Sequence, residues 1–123
     1  MRLTAFTDYG LRTLMYLAIS SQRGEPCASV QTIASALTLS PHHLAKVSQR
    51  LAQHGFVEAR RGRDGGLVLA REPAALTVGE VVRALEPSDL VPCFESRDAC
   101  SLTRGCGLAG ALASAQEAFL AHL

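Results

Sequence analysis

At Gly55 the period of the chain changes, and that change constrains the fold more than any other feature. Before it, Leu44, Val47 and Leu51 recur at i, i+3 and i+7, the spacing of one helical face. The helix they predict opens at Ser40-Pro41, a capping serine followed by proline at the first helical position, and runs to about His54. Gly55 suits the left-handed residue that ends a helix. After it, Phe56-Val-Glu-Ala-Arg60 and Leu67-Val-Leu-Ala70 read as strands, joined by the glycine-rich loop Arg61-Gly-Arg-Asp-Gly-Gly66. Upstream, Ser29 caps a short helix to Leu37, with Val30, Ile33, Ala34 and Leu37 facing inward. Two helices joined by a tight turn and followed by a hairpin make a winged helix-turn-helix.

The outer face of the second helix carries His42, His43, Lys46, Gln49, Arg50 and Gln53. Taken alone, such a face is usually just solvated. Here the amide side chains can pair with adenine, and Arg or Lys can pair with guanine, in the major groove. Arg60, Arg61 and Arg63 on the wing suit a narrow minor groove or the phosphates beside it. The net charge of +1 hides an asymmetry that fits this reading. Residues 1–71 hold nine Lys/Arg against four Asp/Glu, and residues 72–123 hold three against seven. A basic first half joined to an acidic second half points to a nucleic-acid surface on one part only. The four histidines are not arranged as catalytic groups: His42 and His43 can meet phosphate, while His54 and His122 read as capping or surface residues.

The flanking segments complete a mainly α fold with a small β-hairpin wing. From Thr4 to about Ser21, the stripe Leu11, Leu14, Met15, Ala18 and Ile19 predicts a helix, with Thr4 or Thr7 as N-cap and Asp8 in the first turn. Thr77-Val-Gly-Glu80 fits a capping box that opens a helix to about Glu86, broken by Pro87. Residues 107–123 read as a helix with Leu108, Leu112, Ala115, Phe119 and Leu123 on one stripe, and no charge from Gly105 through Gln116. So apolar a terminal helix asks for a partner surface, and a second copy of the chain is the expected one. We therefore expect a winged helix-turn-helix over residues 1–72, followed over 73–123 by a connecting helix, a cysteine loop and a dimerisation helix. The longest apolar run, Leu14 to Ile19, is far too short to span a bilayer. A cytoplasmic protein with no membrane partner is expected.

Three of the four cysteines, Cys93, Cys100 and Cys106, fall within fourteen residues. Structural zinc prefers Cys-x-x-Cys pairs, and the gaps here are six and five residues. A reducing compartment disfavours a disulfide, and a loop rich in Ser, Arg and Asp is a poor place for inert buried thiols. Soft thiolates with Gly105 and Gly107 beside Cys106 suit an iron–sulfur cluster, although spacing alone does not settle the choice. Cys27, far away in another loop, reads as an ordinary thiol.

Thr7-Asp-Tyr-Gly-Leu-Arg12, the Arg61-Gly-x-x-Gly-Gly66 wing, the Leu85-Glu-Pro87 break and the three-cysteine loop together resemble the NsrR group. These are the nitric-oxide-sensing repressors among the iron–sulfur winged-helix regulators that include IscR. The resemblance covers essentially the whole chain. Its wing is shared across the superfamily, and the cysteine loop with the Thr7-Asp8 start is its specific part. It implies a DNA-binding homodimer on a palindromic operator, with one [4Fe-4S] cluster per subunit. Cys93, Cys100 and Cys106 would be three ligands and Asp8 of the partner subunit the fourth. A carboxylate is a weak ligand for so soft a group, so nitric oxide would act there and release the repressor from DNA. Arg12 would lie on the path from Asp8 to the reading helix. The IscR pattern has a histidine three residues after the third cysteine; Ala109 stands here, which favours the nitric-oxide-sensing branch. The chain ends at Leu123, earlier than such proteins usually do, which bears on dimer contacts from later residues. Three rivals stand beside this reading: an iron- or redox-sensing cluster regulator of the same fold, a thiol-redox enzyme, and a zinc-stabilised DNA-binding protein. The missing Cys-x-x-Cys motif weighs against the enzyme.

Overall fold

The computed structural model describes residues 3–87, 90–96, 100–102 and 105–123, the side chains of Pro92 and Glu95 excepted. Helix α1, Ala5–Gln22, is capped by Thr4, whose hydroxyl accepts from the Thr7 N–H. Its buried face is Thr7, Gly10, Thr13, Leu14 and Leu17, whereas Met15 and Ile19 are 62% and 47% exposed. The inward stripe is thus rotated away from the one hydrophobicity predicts. Small residues allow it: Gly10 has no side chain, and the Thr13 hydroxyl donates back to the Tyr9 carbonyl, so its polar atom is satisfied inside.

Helices α2, Val30–Leu37, and α3, Pro41–Gln53, form the expected helix-turn-helix. Ser29 caps α2 through the Thr32 N–H. The Ser40 side chain makes no capping bond, contrary to expectation, so Pro41 carries the helix start alone. Between the helices Thr38 takes a left-handed conformation, φ 56°, rare for a β-branched residue. Gly55 is left-handed after α3, as expected.

Strands β1, Val57–Arg60, and β2, Gly66–Leu69, pair antiparallel with Val57 opposite Leu69 and Arg60 opposite Gly66. Leu67 also exchanges two backbone hydrogen bonds with Ala28, 2.8 and 3.1 Å long, which fastens the hairpin to the start of α2. Gly66 permits this, because a Cβ there would collide with the Ala28 backbone. A 3-10 turn, Pro73–Ala75, leads into α4, Val78–Leu85. At its start Thr77 accepts from the Glu80 N–H, but the Glu80 carboxylate reaches Arg71 instead of closing the capping box.

One core joins these elements. Leu44, Val47 and Leu51 of α3 are fully buried against Leu14 and Leu17 of α1, Ile33 of α2, Phe56 and Leu67 of the wing, and Val81 and Leu85 of α4. Burying such aliphatic side chains contributes roughly 1.5–3 kcal/mol each. The cysteine segment is not irregular throughout: Pro92–Glu95 forms a single helical turn, α5. Helix α6, Gly107–His122, has no buried residue. It touches the head through α4, where the Leu120 carbonyl sits against Gly79 and Arg83 pairs with Glu117 at 2.9 Å. Of its expected stripe, Leu112, Phe119 and Leu123 are half-buried, and Leu108 is 67% exposed.

Candidate nucleic-acid interface and cysteine segment

Because Leu44, Val47 and Leu51 point into the core, α3 must turn its other side outward. His42, His43, Lys46, Gln49, Arg50 and Gln53 are all exposed there. The His42 and His43 rings stand 6.0 Å apart at the start of the helix. Arg60 ends β1, and Arg61 and Arg63 project from the loop beyond it, all exposed. Among the described residues, Lys46, Arg50, Arg60, Arg61 and Arg63 have no ion-pair partner, whereas Arg12, Arg71 and Arg83 each pair with a carboxylate. Arg23, the C-cap of α1, is likewise unpaired, so what marks α3 and the wing is that all five of their cations are available. Arg71 lies over the Phe56 ring, 5.4 Å from its centroid, and bonds Glu80, so it braces the wing against α4.

Asp8 and Arg12, expected to act in sequence along one path, are joined directly. The Arg12 Nε lies 2.9 Å from Asp8 Oδ2 and 3.0 Å from Oδ1, one helical turn along α1. Cys93 lies in α5, and Cys106 is the N-cap of α6, preceded by Gly105 with φ 87°. All four cysteines are thiols, and all are half-buried. Among the described residues, no three of His, Cys, Asp or Glu converge to hold a metal ion. Three partly accessible thiols within fourteen residues of sequence are soft donors of the kind an iron–sulfur group takes. Their arrangement within one subunit is not a closed shell, and a preformed site is not required where binding and local folding are coupled.

One contact had no forecast. Glu86, the C-cap of α4, accepts from the Thr4 N–H through Oε1 and Oε2, at 3.0 and 3.1 Å, and its Oε2 accepts from the Thr4 hydroxyl at 3.0 Å. The available signal was a misfit: a carboxylate at a helix C-terminus opposes the dipole of its own helix.

A three-helix head with a two-stranded wing and a row of unpaired cations defines a winged-helix DNA-binding regulator. The chain belongs to the Rrf2 family of iron-dependent transcriptional regulators, which it matches over residues 3–123. It is similar to CymR, the global cysteine regulator of B. subtilis, at 32% identity and a TM-score of 0.65, covering 80% of this chain and 85% of that one. It is also similar to T. potens IscR, at 29% identity and a TM-score of 0.67, covering 96% and 79% respectively. The oxidized form of Staphylococcus aureus CymR shares the fold over 100% of this chain and 89% of its own, at 22% identity and a TM-score of 0.71. Members of the family are transcriptional regulators, so the thiol-redox enzyme reading is set aside. No helix among the described residues is long and apolar enough to cross a membrane.

Proposed function

We propose that this protein is a cytoplasmic, homodimeric repressor that grips a palindromic operator and releases it on sensing nitric oxide through a [4Fe-4S] cluster, as in the NsrR group. The observation that carries the DNA-binding half is the set of five unpaired cations on α3 and the wing. Residues 1–72 serve as the reading head. His42, His43, Lys46, Gln49 and Arg50 face the major groove and its phosphates, and Arg60, Arg61 and Arg63 reach the minor groove or backbone. Residues 73–123 sense and dimerise. Helix α6, with no buried residue of its own, supplies the surface for a second copy.

Cys93, Cys100 and Cys106 would hold one cluster per subunit, with Asp8 of the partner subunit as the fourth donor. When bound, such a group supplies an iron whose hardest, weakest donor leaves it open to a small molecule. The chain's own residues do the rest. Arg12 bonds the Asp8 carboxylate, and α1 carries any displacement of that pair to α3 through their shared core.

A second reading is an iron- or redox-sensing regulator of the same fold, favoured by the similarity to IscR and to the cysteine regulator CymR. One experiment separates the two. Anaerobically purified protein is titrated with nitric oxide while its visible absorption and its affinity for a duplex selected from a random-sequence pool are followed. Parallel loss of both is expected. An affinity that ignores nitric oxide but tracks iron depletion would favour the second reading.

A further inference from the structure

We propose that the cleft between the end of α1 and the root of the wing is a binding site for a free aliphatic α-amino acid. The cleft encloses about 340 Å³, at the small end of the roughly 300–1,000 Å³ usual for small-molecule sites. Val68, Leu69 and Ala70 form its floor, and Arg60, Glu72 and Pro26 stand exposed at its rim. Two opposite charges thus line one space without meeting. Among the described residues neither Arg60 nor Glu72 has an ion-pair partner, whereas Arg71, which also lines the cleft, is committed to Glu80 and Phe56. A spare guanidinium and a spare carboxylate call for a ligand that carries both complementary charges.

The free edge of β2 points to the same ligand. Backbone groups of successive strand residues face opposite edges. Ala70 donates to the Phe56 carbonyl on the side of β1, and Leu67 exchanges its bonds with Ala28 on the other side. Leu69, two residues beyond Leu67, therefore turns its N–H and C=O to the Ala28 side as well. The register of that edge sets it opposite Pro26, which has no N–H to give. Both backbone groups of Leu69 stay open to the cleft, while its side chain packs on the core. The polarity agrees with the charges. Strand β2 runs from Gly66, opposite Arg60, towards Glu72, so the Leu69 N–H lies on the Arg60 side and its C=O on the Glu72 side. An α-amino acid carries carboxylate and ammonium on one carbon, in the way a strand residue carries acceptor and donor. Its carboxylate accepts from the Leu69 N–H and Arg60, its ammonium donates to the Leu69 carbonyl and Glu72, and its side chain lies against Val68, Ala70 and Pro26. Arg60 is one of the cations assigned above to DNA, so an occupied cleft withdraws it from the wing; this consequence rests on that reading.

The test records backbone amide NMR spectra of the full-length protein while L-alanine, L-valine and L-leucine are added in turn. At least one of them should shift the Leu69 amide signal saturably. Isobutylamine and isovalerate, which carry one charge each, should bind about tenfold more weakly, having lost a charge-assisted hydrogen bond. The best amino acid should bind Arg60→Ala and Glu72→Ala about tenfold more weakly for the same reason. Both positions are exposed, so both variants should fold like their parent. The proposal is overturned if no amino acid of the set moves Leu69, if isovalerate binds as tightly as the best of them, or if Glu72→Ala binds like its parent. Affinity for the selected duplex is then measured with and without the best ligand. Occupancy should weaken DNA binding and lower its salt slope by about 1 in the parent, and should do neither in Arg60→Ala. If the ligand binds and DNA affinity does not change, the site stands and the placement of Arg60 on DNA falls.

Discussion

Arg12 and Asp8 hold each other across one turn of α1, with the Arg12 Nε 2.9 Å from one carboxylate oxygen and 3.0 Å from the other. Their side chains are 55% and 44% exposed, so the pair adds only about 0.3–0.5 kcal/mol to the helix. Its value lies in orientation. Arg12→Ala should change thermal stability little, yet Asp8→Ala and Arg12→Ala should both alter the spectrum or lability of the reconstituted cluster. Cys100→Ala should prevent assembly altogether, as read by iron content and visible absorption. A Cys100→Ala protein that still assembles would remove that thiol from the ligand set. Unchanged lability in both charge variants would exclude Asp8.

The unpaired cations make a prediction about salt. Lys46→Ala and Arg60→Ala should each weaken operator binding and reduce the slope of log K against log salt by about 1, the loss of roughly one phosphate contact. Arg83→Ala removes a cation already committed to Glu117 and should leave the slope unchanged. A fluorescence-anisotropy titration across salt concentrations distinguishes them. A normal slope in both of the first two variants would place the docking face elsewhere.

Gly79 offers a test with a diagnostic sign. Replacing glycine with alanine inside a helix ordinarily stabilises it by about 0.5–1 kcal/mol. Here the new methyl would meet the Leu120 carbonyl, a backbone group that cannot rotate aside as a side chain can. Gly79→Ala should therefore destabilise by about 1–3 kcal/mol or dislodge α6. Chemical denaturation and limited proteolysis of residues 107–123 would report it, and a stabilised protein would show that α6 does not dock there.

Thr38 stores strain in the turn between α2 and α3. A β-branched residue at φ 56° and ψ 45° costs about 1–2 kcal/mol relative to the right-handed region, a cost glycine escapes. Part of that gain is lost to the greater freedom of glycine in the unfolded chain. Thr38→Gly should raise stability by about 0.5–1 kcal/mol without changing DNA affinity, measured by urea denaturation and by binding to the selected duplex.

The helix-turn-helix and its wing were legible because their cues are local. Ser29 caps α2, Pro41 opens α3, Gly55 ends it, and the change from helical to strand period follows at once. The outward face of α3 followed from the same spacing. The inward face of α1 did not, because it is built of Thr7, Gly10 and Thr13, residues that hydropathy ranks as neutral or polar. Ser40 misled for a related reason: residue type licensed a cap, but side-chain rotation decides whether the bond forms.

The local code thus determined which segments are helix, strand and turn, and which face of α3 carries the polar groups. Such preferences act over a few residues and need no distant partner. Only the tertiary structure decided which cations stay unpaired, how α6 meets α4 at Gly79, and that Glu86 bonds Thr4, the capping residue of α1, 82 positions away. Those outcomes depend on the approach of segments far apart in the chain, where a single missing Cβ or one carboxylate at the right end of the wrong helix sets the contact.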